Sequence, residues 1–500
     1  MAQKLGAREL IGLVVDAGSY RSWDEPLPPP AVADEGYQAD LERARSGTGL
    51  DEAVVTGEGS IGGRRVAVAA CEFGFLAGSI GVAAAERLVR CVERATAEQL
   101  PLMASPASGG TRMQEGTIAF LQMVKIAAAV ARHRAAGLPY LVYLRHPTTG
   151  GVFASWGSLG HITVAQPGAL IGFLGPRVYE ALSGVRFPEG VQRAENLLEH
   201  GLLDGVVPPE QLAGVAARAL RVLMAPREQP PAVPGLPAMA VGDVPAWESI
   251  QRSRRPGRPG VRELLAVAAA DVTPLHGTGQ GERDPGLVIA LARFGGAPCV
   301  VVGQDRRRQL EGQPLGPAAL RAARRGMRLA AELALPLVTV IDTAGAALSP
   351  EAEEGGLAGE IAHCLTDLVT LPSPTLCLLL GQGGGGAALA LLPADRVICA
   401  QHAWLSPLPP EGASAILYRT TGRAAELADR QKVRSLDLLR AGIADQIVSE
   451  HPDAADETGP FLRRAGQAIG HALTELLRAD PADRPGVRYQ RYRRLGLPTG

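Results

Sequence analysis

Four glycine-bearing segments carry the chemistry open to this chain: ASGGTRMQE (107–115), PTTGGVFAS (147–155), DTAGAALSP (342–350) and GQGGGGAALA (381–390). Each follows an apolar run that reads as a buried strand and precedes a helical stretch. Glycine lets the backbone pass close to a ligand, and the first turn of a helix leaves N–H groups without an internal acceptor. Two such turns side by side aim paired N–H donors at one oxygen, the arrangement that stabilises an oxyanion. The same turns also serve as plain strand–helix connections or as phosphate cradles. A Walker loop is excluded because no Gly-Lys-Ser/Thr closes any of the four. A dinucleotide fingerprint is excluded because no G-x-G-x-x-G opens a helix with an acidic residue at the next strand's end.

What is missing narrows the chemistry further. The helices after Gly151 and Gly386 begin Val152-Phe153-Ala154 and Ala387-Ala388-Leu389, with no carboxylate, histidine or cysteine. A hydratase or isomerase needs a positioned acid or base there. No G-x-S-x-G nucleophile elbow appears either. Glu115, Glu353 and Glu354 fall in first helical turns, where acids suit the helix dipole, and Glu189 and Glu411 sit in Pro-Glu-Gly turns. Oxyanion donors without a general base point to a reaction whose base arrives with a cofactor.

The elements that position these turns occur twice. Residues 101–170 and 336–405 align without a gap at an offset of 235, so that Pro101 falls on Pro336, Gly110 on Gly345, Pro139 on Pro374, and Gly150-Gly151 on Gly385-Gly386. The likeness extends upstream to Gly62-Gly63 and Gly295-Gly296, and downstream to LLEHGLLDGVV (197–207) and LLRAGIADQIV (438–448). A unit this long occurring twice is a domain duplication. In each copy a strand (102–104; 337–341) leads through a glycine turn to a long helix (114–136; 352–371). A second strand (140–144; 375–380) leads to a glycine cluster and a helix, and a third strand follows (162–165; 397–400). This alternation predicts an α/β fold of parallel strands with right-handed crossovers, and one oxyanion hole per copy.

The expected organisation is a first domain over 1–225, a proline- and arginine-rich linker over 226–260, and a second domain over 261–500. A short helix near 7–15 and a proline-rich stretch at 26–30 form an N-terminal arm. The arginines of RSRRPGRPG (252–260) and of the C-terminal tail read as solvated surface, and the linker as unable to build a core. A formal net charge of −1 supplies no field toward nucleic acid or an acidic membrane. The six cysteines stand singly, so neither a zinc ribbon nor a disulfide framework is expected, and no metal site is predicted. The N-terminus has no basic region followed by an apolar run and no stretch reaches membrane-spanning length, so a cytoplasmic protein is the expectation.

These residues resemble the carboxyltransferase component of biotin-dependent acetyl-CoA and acyl-CoA carboxylases. The first half is similar to the bacterial β subunit through EFGFLAGSIG (72–81), ASGGTRMQE, GLPYLVYLRHPTTGGVFAS (137–155) and QPGALIGFLGPRV (166–178). The second half is similar, more loosely, to the α subunit through IDTAGA (341–346), EAEEGG (351–356), GQGGGGAALA and PEGASAIL (410–417). The likeness covers nearly the whole chain, including VDAGSYRSW (15–23) in the arm, and amounts to the two subunits fused.

The resemblance implies two tandem crotonase-like domains of repeated ββα superhelix. It implies that carboxybiotin releases CO2 and that the freed ureido nitrogen takes the α-proton of the acyl-CoA. One hole would then hold the thioester enolate and the other the biotin ureido oxygen. By resemblance the acyl-CoA side lies near Gly109, Gly110, Thr111, Gly150 and Gly151, and the biotin side near Gly345, Ala346, Gly384, Gly385 and Gly386. Arg112 either steers the anionic CoA or forms a salt bridge supporting its turn, and Arg177 is a second candidate for steering. The family's sites form between the N-terminal half of one subunit and the C-terminal half of another, which implies a homo-oligomer. None of the methionines precedes a lysine and no ATP-grasp region is recognisable, so the biotin carboxyl carrier protein and the biotin carboxylase would be separate partners.

The chain departs from the family pattern in four places. The β subunit's four-cysteine zinc ribbon is absent, Ala344 stands where a proline is usual, Ala347 where an aromatic is usual, and LSPLPPEGA (405–413) carries extra residues. Acetyl-CoA, giving malonyl-CoA, is the expected substrate, with the acyl length open. The alternatives are a malonate-type decarboxylase on the same scaffold, a biotin-free crotonase-type hydrolase or isomerase using Glu189 or Glu411, and a non-catalytic organiser of a carboxylase complex.

Overall fold

In the computed structural model of the chain, residues 5–27, 34–226, 232–235, 241–479, 482 and 484–497 are described. Two compact units form, Met1–Leu220 with Gly279–Gly281, and Arg221–Thr278 with Glu282–Gly500. Parts of the predicted proline-rich arm and linker, at 28–33, 227–231 and 236–240, lie outside the described residues.

Each unit is built on one sheet. The first runs Arg21–Ser22, Val54–Ile61, Arg64–Cys71, Leu102–Ser105, Tyr140–Leu144, Ile162–Ala165 and Gly205–Val206. The second runs Ala270–Leu275, Leu287–Phe294, Ala297–Gln304, Leu337–Thr343, Thr375–Gly384, Arg396–Ala400 and Gln446–Val448. In both, the first three strands pair antiparallel and all later pairs are parallel, so the duplication read from prolines and glycines is a duplication of sheet topology. The central strands are runs of Val, Leu, Ile, Ala and Cys buried along their length, as a parallel sheet covered by helices requires. All six cysteines are free and buried in these layers. Among the described residues no helix is long and apolar enough to cross a membrane.

The strands end at the glycine turns, so the carboxyl edge of each sheet carries the predicted chemistry. In the first unit the chain breaks after Leu144 and resumes as Thr148–Thr149, paired with Ile171–Gly172. In the second, Thr375–Gly384 runs on without a break and its last residues pair with Trp404–Ser406.

Several expectations need correction. The helix predicted over 352–371 is two helices, Pro350–Glu354 and Leu357–Thr370, parted at Gly355-Gly356. Gly356 adopts φ +81°, a conformation that only glycine enters cheaply. The helix predicted over 114–136 is a single tight turn, Met113–Glu115, followed by Gly116–Ala135. The boundary falls at Leu220 rather than 225, and the later part of the supposed linker belongs to the second unit. Its helix Ala246–Ser253 buries Ala246 and Ile250 against Trp404, Ala428 and Val433. The arginine clusters are not simply solvated surface. Arg258 is fully buried on the Glu450 carboxylate, at 2.6 and 2.7 Å, and Arg488 is fully buried on Asp395 and the carbonyls of Leu368, Leu371 and Ser373.

Candidate active site

In the first unit the two glycine turns close on each other. Ser108 N–H donates to the Pro147 carbonyl and Thr149 N–H to that of Ser108, which zips the strand ends together. Gly110 and Gly150 have φ of +113° and +63°. A Cβ on Gly110 would stand 3.5 Å from Gly150 Cα and 3.6 Å from Gly151 N, and one on Gly151 would stand 3.2 Å from Thr111 Oγ1. The missing side chains thus make room for this approach.

Counting the amides separates donors from scaffolding. Gly109 N–H is taken by the Ala77 carbonyl, Gly110 N–H by Ser108 Oγ at 3.0 Å, and Gly150 N–H by the Phe173 carbonyl. Thr111 forms a parallel bridge with Ile80 through the neighbouring residues' groups, Ile80 N–H to Gly110 O and Arg112 N–H to Ile80 O. Its own N–H takes no internal acceptor among the described residues. Gly151 lies in the first turn of the helix Gly150–Phe153, where no intrahelical acceptor exists. Thr111 and Gly151 therefore remain as a pair of adjacent backbone donors.

The second unit repeats the count. Gly345, at φ +149°, spends its N–H on Thr343 Oγ1 at 3.1 Å. Ala346 bridges Leu315 through the N–H of Ala347, so its own amide is left over among the described residues, and Gly386 lies in the first turn of the helix Gly385–Leu389. Any side chain on Gly384 would run into the Ala344 carbonyl, and one on Gly386 would stand 2.7 Å from Ile361 Cδ1. Ala346 and Gly386 are Thr111 and Gly151 displaced by 235 positions. Sequence reading passed over Ser108 and Thr343, whose hydroxyls hold the amide two residues ahead in both turns. A hydroxyl residue two positions before the turn glycine in both repeats was the available signal.

Arg112 does not reach solvent. Its side chain is fully buried, grips both oxygens of Glu52, and donates to Tyr37 Oη at 3.3 Å and to the Ser79 carbonyl at 2.8 Å. Burial acts to lower its pKa, but the Glu52 hydrogen bond and charge prevail and hold it above the ordinary value. This is the geometry of a salt bridge under the turn, not of a guanidinium offered to CoA. Arg177 lies on the helix Pro176–Ser183, with its side chain outside the described residues.

Two of the five carboxylates are likewise engaged in structure. Glu115 Oε2 accepts Val82 N–H at 2.6 Å and caps the helix Val82–Ala97, while Oε1 accepts Tyr37 Oη–H at 2.5 Å. Glu411 pairs with Arg254, whose hydrogen bonds hold the carboxyl below the usual range despite partial burial. Glu189, Glu353 and Glu354 are exposed. Unspent backbone donors of this kind are able to stabilise an oxyanion, at about 10²–10³ in rate per donor where charge develops.

A carboxyl transferase domain family model matches residues 2–484. The chain is 64% identical over 486 residues, 97% of each sequence, to a probable biotin-dependent acyl-coenzyme A carboxylase beta3 subunit of Mycobacterium tuberculosis. It is 38% identical to the acetyl-coenzyme A carboxylase carboxyl transferase subunits beta/alpha of Salinispora arenicola, over 99% of this chain and 91% of the relative. Among solved structures, transcarboxylase 12S superposes with a TM-score of 0.73 over 95% of this chain and 90% of the other, at 23% identity. The likeness to that structure supports the crotonase-like fold for the two units.

Proposed function

The chain belongs to the carboxyl transferase domain family, and from that premise we propose that it moves a carboxyl group from biotin on a separate carrier protein to a short acyl-CoA, acetyl-CoA foremost, giving malonyl-CoA. The observation that carries this reading is the pair of unspent backbone donors at matched positions of the two repeats, Thr111 with Gly151 and Ala346 with Gly386, ahead of helices that begin with no carboxylate, histidine or cysteine. Thr111 and Gly151 N–H hold the thioester oxygen as it gains charge. Ala346 and Gly386 N–H hold the ureido oxygen of biotin, a carbonyl acceptor that two donors suit. Biotin bound there would bring the carboxyl group, and its ureido nitrogen would supply the base that the turns lack. Gly109, Gly110, Gly150, Gly345, Gly384 and Gly385 shape the two cradles, and their own amides, where spent, keep the turns rigid.

A biotin carboxyl carrier protein and a biotin carboxylase are the partners, and a second copy of the chain completes the site. The helix Gly116–Ala135 supports the last point, because Ile118, Phe120, Leu121 and Val124 stand more than half exposed on it. The 12S relative is described as a hexamer with methylmalonyl-coenzyme A bound.

The test is the partial reaction of purified protein with malonyl-CoA and biocytin, repeated with methylmalonyl-CoA. Biocytin-dependent release of acetyl-CoA is expected, faster than release from the branched substrate. Release without biocytin would replace the proposal with a decarboxylase, and preference for methylmalonyl-CoA would replace acetyl-CoA as the substrate.

A further inference from the structure

The parallel pairing of Leu337–Thr343 with Thr375–Gly384 is regular from Leu337↔Thr375 to Ile341↔Leu379 and then shifts, resuming at Thr343↔Gly383. One residue, Asp342, thus faces three: Leu380, Gly381 and Gln382. Such an excursion re-aims the end of a strand, and it leaves amides and carbonyls to be satisfied inside the core. Asp342 is fully buried, and its Oδ1 accepts the Gln382 N–H at 3.0 Å. Gly381 makes this possible, because a Cβ there would fall on the Asp342 carboxylate, 2.8 Å from Cγ. The Leu380 carbonyl accepts from Arg258 Nη2 at 2.9 Å. Gln304 then joins the excursion to the donor helix, accepting from Asp342 N–H at 3.1 Å and donating to the Ala387 carbonyl at 2.8 Å.

The first unit makes the same shift by another route. Its pairing passes from Ala104↔Val142 to Ser108↔Thr148, which also lengthens the second strand by two residues relative to the first. The position matching Asp342 is Ala107, and the one matching Gln382 is Pro147. Proline has no N–H, so no acceptor is required there. Where the amide exists a buried carboxylate meets it, and where it is absent an alanine suffices.

We propose that Asp342 is the positioning residue of the second donor pair: by holding the Gln382 amide it fixes the excursion that seats Gly384 against the Ala344 carbonyl and so sets where the donor helix begins at Gly386. Burial raises its pKa while Arg306, the Gln382 amide and Arg258 lower it, and Oδ2 has no hydrogen-bond partner among the described residues. The hydrogen bond of Oδ1 is therefore the contact by which this side chain acts on the turn. The assignment of a task to that turn rests on the biotin-side reading above, whereas the lock itself is read without turnover.

The test compares Asp342→Ala, Asp342→Asn, Gly381→Ala and the Gly381→Ala/Asp342→Ala double variant in the malonyl-CoA and biocytin reaction, with hydrogen exchange over 380–386. Asp342→Ala is expected to lower kcat with respect to biocytin about 10²-fold, the cost of misplacing a reacting group by about 1 Å, and to leave the affinity for CoA thioester within twofold. Asp342→Asn, which keeps the acceptor, recovers at least tenfold of that loss. Gly381→Ala alone is damaging, yet adds nothing in the Asp342→Ala background, because the contact it destroys is already gone. The segment 380–386 exchanges faster in Asp342→Ala and Gly381→Ala than in the unaltered chain. A folded Asp342→Ala with full activity and unchanged exchange overturns the proposal, as does Asp342→Asn as impaired as Asp342→Ala. Altered exchange in a protein whose unaltered form shows no biocytin-dependent release upholds the lock and overturns the biotin-side reading.

Discussion

Replacing Arg112 by methionine separates the two roles its sequence position allows. The guanidinium has no exposed surface and sits between Glu52 and Glu115, both nearly as buried. Removing it strands two carboxylates in the interior, and breaking a buried pair in this way costs about 3–5 kcal/mol. In a folding unit of this size each kcal/mol moves the melting point by about 2–4 °C, so the first unit's transition should fall by on the order of 10 °C. Methionine restores part of the packing, and protonation of one acid relieves part of the charge, which places the outcome at the lower end. Arg112→Lys should lie between, because an ammonium cannot span both oxygens of Glu52 while also reaching Tyr37 and the Ser79 carbonyl. The assay is calorimetric melting beside steady-state kinetics with malonyl-CoA. Below the lowered transition, KM for the CoA thioester should stay within about twofold while kcat falls with the loosened turn. An unchanged transition with KM raised tenfold would refute the structural role and return Arg112 to steering CoA.

Other outcomes follow from the same contacts. Gly151→Val keeps its N–H but pushes a side chain against Thr111 Oγ1 and the flexible Met123, both 3.2 Å from the added Cβ. It should displace the donor pair and lower kcat by as much as one misplaced oxyanion donor is worth, about 10²–10³-fold, with the melting point kept within a few degrees. Burial holds the His133 imidazole at about 4, below its ordinary 6.5. The unfolded chain therefore takes up the proton first, so this contribution to stability is whole above about 6.5 and is lost as pH falls towards 4. Denaturant titrations at pH 6.5 and 5.5 should show the unaltered chain losing about 1 kcal/mol more than His133→Gln. Burial pushes the Cys71 thiol up to about 11 and those of Cys91, Cys364 and Cys377 to about 12, so a thiol reagent at pH 8 should label none of them until the chain is unfolded.

The strands and turns were legible because their signals are local. Apolar runs flanked by proline and glycine locate Leu102–Ser105, Tyr140–Leu144, Leu337–Thr343 and Thr375–Gly384 within a few residues, and the fixed offset locates their partners. The identity of the donors was only half legible. Ten positions were named for the two cradles, but which amides are spent depends on Ala77, Phe173 and Leu315, which no spacing rule connects to the turns. Arginine clusters misled for the same reason. Arg258 and Arg488 read as surface by composition, yet Glu450 lies 192 positions from the first and Asp395 lies 93 from the second. Charge runs carry no mark of a distant acid that will bury them.

The two cradles also show why their supports could drift apart. A backbone N–H donates equally well from threonine or alanine, so Thr111 and Ala346 can offer the same donor with different side chains, and the donor's side chain places little constraint on its surroundings. What must persist is the path of the chain, and that path can be held by any set of contacts that satisfies the groups it buries. Under Thr111 the set is Arg112, Glu52, Tyr37 and Glu115, while the positions matching Arg112 and Glu115 in the second unit are Ala347 and Pro350, which can make none of those bonds. There Gln304 and Asp342 hold the chain instead, beside Thr343, which repeats the Ser108 contact of the first unit. A change at Arg112 should therefore loosen the first cradle and leave the second intact, and a change at Asp342 the reverse. On the proposed assignment, the acyl-CoA side and the biotin side become separable by mutation even though their donors stand at matched positions of the two repeats.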